Sequence, residues 1–112
     1  MSLPYSPSRE VDGWVYLAGQ GGFDESGALG GTIEAQTDQT LRNIARLLGQ
    51  HGCTMADVVS VLVHLTDLGN FGPYNEVYAG HFPEPRPVRT TVEARLIGDM
   101  LVEITVVARQ PA

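Results

Sequence analysis

The sequence predicts an α+β domain on three observations: strand-like runs cluster near both ends and in the middle, two segments with helical spacing lie between them, and glycine and proline clusters mark the breaks. One domain over residues 1–112 holds these elements in the order ββαβαββ. Their segregation implies one sheet with both helices on a single face. The other face then needs cover, which a symmetric partner supplies, and a chain of 112 residues with a modest core gains from such oligomerisation.

Trp14-Val15-Tyr16-Leu17-Ala18 has the aromatic and branched content of a strand, and Ser8 to Val11 before Asp12-Gly13 gives it a hairpin partner. Gly19 to Gly31 is rich in glycine and reads as a loop. From Thr32, a capping residue, Leu41, Ile44, Leu47 and Leu48 recur at helical spacing, with Gly52 as the stop.

Thr54-Met55-Ala56-Asp57 reads as a capping-type turn, and Val58 to Thr66, apolar on both faces, as a central strand. Asn70 is the expected cap of a second helix, with Pro73 in its first turn and Tyr74, Val77, Tyr78 and Phe82 on one face, read as core. Pro83, Pro85 and Pro87 forbid its continuation. Val88 to Ala94 and Leu101 to Val107 complete the strands, with a break around Ile97-Gly98-Asp99.

The formal charge of −6 argues against general attraction to phosphate backbones or anionic lipid. No apolar run approaches the roughly 20 residues of a membrane helix. Met1 to Asp12 lacks a basic start followed by an apolar block, so a soluble cytoplasmic protein is expected. Cys53, the single cysteine, has no partner for an internal disulfide or a CxxC pair.

Glu103 is the most informative residue, because a carboxylate in the apolar run Leu101 to Val107 must face water or meet a cation. Arg89, at the entry of the preceding strand, is the candidate cation, since its planar fork matches a carboxylate. A simple hairpin register does not set the two opposite each other, although side-chain reach allows a contact. A structural salt bridge and a functional pair both remain open at this point.

His51, His64, His81 and Cys53 are too scattered for a zinc motif, and no metal is expected. Gly19-Gln20-Gly21-Gly22 lacks the Lys-Ser/Thr of a phosphate loop, and Ser6 and Ser8 lack a GxSxG context.

Taken in order, Pro4-Tyr5-Ser6, Ala18-Gly19-Gln20, Asp24 to Gly31, Ile33 to Thr37, Leu65-Thr66-Asp67, Tyr74 to Tyr78, Pro87-Val88-Arg89 and Leu101 to Ile104 resemble the Rid (YjgF-like, reactive-intermediate deaminase) family over almost the whole chain. No piece is specific alone; their order and spacing are. The resemblance implies a chorismate-mutase-like fold and a homotrimer whose sheets face a central β-barrel. It also implies three clefts, each built from two neighbours, as closed cyclic symmetry requires.

The resemblance further implies hydrolysis of small 2-imino acids and their enamine tautomers to 2-oxo acids and ammonia, with no cofactor. Arg89 matches the arginine that holds the substrate carboxylate, and Glu103 the acid that orients water or a protonated nitrogen. Tyr5, Gly19 and Asn75 match residues that line or support the cleft. Thr91 stands where many members carry cysteine, Ser6-Pro7-Ser8 replaces Ser-Gln-Ala, and Ala18 replaces a common serine. The segment from Arg89 to Glu103 is one residue shorter than in the best-known branch. A trimer that binds 2-oxo acids without turnover is the alternative, and RNA cleavage a third reading, against which the acidic balance and the absence of a histidine pair count.

Overall fold

The computed structural model describes Ser2 to Ala112. β1 (Ser8–Val11) and β2 (Trp14–Leu17) form the expected hairpin. Its turn places Asp12 at φ 52° and Gly13 at φ 86°, the left-handed pair that a right-twisted two-residue hairpin demands. α1 (Ile33–Gly49) starts at Thr32, whose hydroxyl accepts the Ala35 amide at 3.1 Å. It ends three residues before Gly52, which takes a positive φ of 73° in the following turn.

Thr54 and Asp57 close a reciprocal capping box, and β3 (Val58–Leu65) follows. α2 (Phe71–Ala79) departs from expectation at its start: Asn70 makes no side-chain capping bond, and Asp67 instead accepts the Gly69 amide at 2.8 Å in the preceding 3-10 turn. That turn already fixes the entry to the helix. Phe82 lies beyond the helix end yet is buried, so the aromatic stripe is core as expected. β4 (Val88–Glu93) and β5 (Val102–Arg109) finish the order ββαβαββ.

The five strands form one mixed sheet in the order β1-β2-β5-β3-β4. β4 runs parallel to β3, joined to it by the α2 crossover, while β5 inserts antiparallel between β2 and β3. β4 and β5, consecutive in sequence, are therefore not neighbours. Val61, Val63 and Leu65 of β3 and Val102, Ile104 and Val106 of β5 point to the helix-covered face, where they pack on Leu41, Ile44, Leu48 and Tyr74.

Two buried polar residues of α1 tie the glycine-rich loop to that core. Gln36 donates to the carbonyls of Gly30 and Asp99 and accepts the Leu101 amide, and Asn43 donates to the carbonyls of Gly21 and Phe23. A Cβ at Gly22 would lie 2.6 Å from the Gln36 carbonyl oxygen, so this loop needs glycine for close packing on α1.

Burial pushes the Tyr78 phenol up to about 12, and Tyr74 is raised by the same cause. The Tyr78 hydroxyl is buried with no hydrogen-bond partner among the described residues. Since unfolded tyrosines ionise near about 10, the folded chain holds its proton longer, and the associated stability is present below that pH and lost as pH rises toward 12. Tyr78→Phe should leave stability at neutral pH within about 1 kcal/mol of the parent. Urea unfolding of the variant across the alkaline range should show a shallower loss than the parent, with Tyr74 supplying the remaining slope.

Candidate functional site

Strand parity decides where each candidate side chain goes. Arg89 is the Cα partner of Val61, and Thr91 of Val63, so both side chains share the helix-covered face with those buried valines. Glu103 is the partner of His64, on the opposite face. Arg89 and Glu103 are thus separated by β3, by three positions along it, and by the thickness of the sheet. At about 4.8 Å between strands and about 3.3 Å per residue, the backbone offset alone is roughly 10 Å in each direction. The expectation that side-chain reach could join them within one chain is overturned, because parity directs them apart.

The first cluster surrounds Arg89 at the β4 edge. Its Nη1 donates to Asn75 Oδ1 at 2.8 Å, and its guanidinium carbon lies 4.6 Å from the Tyr78 ring centroid, 5.4 Å from Tyr74 and 5.6 Å from Phe71. These distances are within cation–π range. The tyrosine hydroxyl of Tyr74 meets Thr91 Oγ1 at 3.5 Å. Phe71, Tyr74, Asn75 and Tyr78 are spaced i, i+3, i+4, i+7, one stripe of α2, so a single helix face fixes the arginine. Half-buried and always charged, Arg89 has no ion-pair partner among the described residues.

The second cluster surrounds Glu103 on the open face. Gln20 and Ile104 exchange both backbone hydrogen bonds, at 2.9 and 3.0 Å, which pins Gly19 beside the Glu103 side chain. A Cβ at Gly19 would come within 2.8 Å of Glu103 Cδ, so the glycine makes room for the carboxylate. Across β3, His64 Nδ1 stands 3.9 Å from Glu103 Oε1. Tyr5 is 59 % exposed, in a segment that runs beside β2 through the Ala18 amide bound to the Pro7 carbonyl. The structure gives Tyr5 no bond to either cluster.

Among the sequence candidates, the fold therefore unites Arg89, Asn75 and Thr91 on one side, and Gly19 and Glu103 on the other. The aromatic support of Arg89 and the neighbour of Glu103, His64, were not foreseen; the helical spacing of Phe71, Tyr74 and Tyr78 is the signal for the first. The open depressions of the chain lie elsewhere, one of about 380 Å³ bordered by Arg9, Tyr16 and Ala18, another of about 590 Å³ between Gly30-Gly31 and Asp99 to Leu101. No group of residues with a metal-ligating arrangement occurs among the described residues. Cys53 is buried, and desolvation followed by the charge of Asp57 raises its thiol, which makes it a poor nucleophile.

A five-stranded mixed sheet backed by two helices, with an arginine fixed at one edge and a carboxylate on the open face, defines a small α+β class. The chain belongs to the Rid (YjgF-like) family: the family model described as Endoribonuclease L-PSP matches residues 1–110. It is 40% identical over 108 residues to a RutC family protein of Pyrococcus abyssi, covering 94% of this chain and 85% of that one. It is 38% identical to the 2-iminobutanoate/2-iminopropanoate deaminase of Mus musculus over 111 residues, 96% of this chain and 82% of the relative. The crystal structure of RidA from the Antarctic bacterium Psychrobacter superposes with a TM-score of 0.92 at 35% identity, covering 97% of this chain and 90% of that chain.

Gly19→Ala is expected to displace the Glu103 carboxylate and little else, because the added methyl meets the flexible end of that side chain and the Gly19 backbone needs no positive φ. The thermal midpoint should move by less than roughly 4 °C, corresponding to under about 1 kcal/mol, while the carboxyl 13C resonance of Glu103 shifts. An unmoved resonance would place the carboxylate away from Gly19.

Proposed function

We propose that this protein is an imine deaminase that hydrolyses small 2-imino acids, and their enamine tautomers, to 2-oxo acids and ammonia, acting as a homotrimer without a cofactor. The observation that carries the reading is Arg89: a guanidinium clamped by Asn75 and three aromatic rings yet without a carboxylate partner among the described residues. Such a group binds a small anion in two parallel hydrogen bonds. The deaminase name of the mouse relative supplies the chemistry.

In this reading each cleft combines Arg89, Asn75 and Thr91 of one subunit with Gly19, Glu103 and Tyr5 of its neighbour. The open sheet face supports the assembly, since it exposes Val11, Trp14, Tyr16, Leu62, Val88 and Val92, an apolar area that a monomer rarely presents to water. Burying three such faces around a threefold axis covers them together and brings unlike edges into contact. No helix among the described residues is long and apolar enough to cross a membrane.

Arg89 fixes the substrate carboxylate and so places the electrophilic carbon beside a water. Glu103 takes a proton as that water adds to the protonated imine carbon, giving a carbinolamine, and returns the proton to the nitrogen. The carbon–nitrogen bond then breaks as the hydroxyl oxygen forms the carbonyl and gives up its proton. Iminium and water are consumed, and 2-oxo acid and ammonium are produced. The family model's endoribonuclease description is a weaker guide here, because a chain of net charge −6 repels a polyanion.

The test generates a 2-imino acid in situ and follows its loss. Arg89→Ala should cut kcat/KM by about a hundredfold or more, and Arg89→Lys should recover only part, since an ammonium lacks the planar fork. Sedimentation and circular dichroism must first show both variants folded and assembled like the parent. If the parent binds 2-oxo acids without accelerating imine loss, the protein is a carboxylate binder and the deaminase assignment fails.

A further inference from the structure

His64 lies on the open face, with Thr90 and Thr105 flanking the next position of its strand. Its partner across β4 is Val92 and the next open-face residue of β3 is Leu62, whereas β5 presents Glu103 directly opposite. The remaining charged residues of that face, Arg9 and Arg109, sit at its far end beside Tyr16 and Trp14. Nδ1 of His64 is shut off from solvent and has no hydrogen-bond partner among the described residues, although the side chain as a whole keeps 26% of its surface exposed.

A shielded ring nitrogen without a partner is costly, and the Glu103 carboxylate stands 3.9 Å from it. A small torsional change of the glutamate closes that gap. Gly19 limits the carboxylate from the other side. The glutamate stands between the Gly19 backbone, where a Cβ would displace it, and the His64 imidazole.

We propose that His64 is a positioning residue for Glu103: it donates from Nδ1 to one carboxylate oxygen and so aims the other at the water and the imine. This deepens the deaminase reading and rests on it. An asparagine amide occupies nearly the position of Nδ1 and keeps a donor there, whereas phenylalanine keeps the ring shape and removes it.

Kinetics of His64→Phe, His64→Asn, Glu103→Ala and the double variant His64→Phe/Glu103→Ala test the proposal. His64→Phe should lower kcat by about tenfold or more with KM within about twofold, as a misaimed catalytic group does. His64→Asn should restore most of the loss, and His64→Phe should have no further effect in the Glu103→Ala background. An unchanged kcat in His64→Phe, or an equal loss in both backgrounds, overturns it. Should the parent hydrolyse no imine, the deaminase reading has failed by itself, and ring 15N resonances at alkaline pH judge the contact. A proton held on Nδ1 in the parent that redistributes to Nε2 in Glu103→Ala supports the pairing; one tautomer pattern in both proteins overturns it.

Discussion

Successive side chains of a β-strand point to opposite faces, and everything distinctive about this site follows from that alternation. Arg89 shares parity with Val61 and the core, and Glu103 shares parity with His64 and the open face. No rotamer can carry either side chain through β3. One chain therefore holds Arg89 and Glu103 where they cannot reach the same small molecule, and on the proposed deaminase reading assembly becomes a condition of function.

Each half is built by a different device. Arg89 depends on α2, whose stripe of aromatic residues and Asn75 hold the guanidinium from behind while the crossover from β3 sets the helix beside β4. Glu103 depends on the Gln20–Ile104 bridge, which draws Gly19 against it. The buried Gln36 and Asn43 hold the intervening glycine-rich loop to α1, so the loop that begins at Gly19 is anchored at several points. Buried polar side chains satisfied in this way specify one loop path more sharply than apolar contacts would.

Local signals in the sequence were easily read: Asp12-Gly13 for the hairpin, Thr32 for the start of α1, Thr54 with Asp57 for the capping box, and the unbroken valine and leucine run of β3. Asn70 misled because Asp67, three residues earlier, had already turned the chain. The neighbours of β4 and β5 were harder to read. Adjacency in sequence suggests a hairpin, but β5 is apolar on alternate positions throughout and gains more by lying between β2 and β3, an outcome set by burial over the whole sheet. The faces of Arg89 and Glu103 depend on that choice, so the residue types were legible while their separation was not. His64 carries no local signal in the sequence, because the register of β5 on β3 alone sets Glu103 opposite it.

The measurement that bears most directly on a site shared between subunits is complementation of two crippled variants. Arg89→Ala and Glu103→Ala, each strongly impaired but measurable alone, are unfolded together in equal amounts, refolded, and assayed for imine hydrolysis. With random assembly into cyclic trimers, about one cleft in four receives Arg89 from one variant and Glu103 from the other, so roughly a quarter of the parental activity should return. Activity that stays at the level of the separate variants, in mixtures proven to contain hybrid trimers, would mean that each chain completes its own site and would contradict the account.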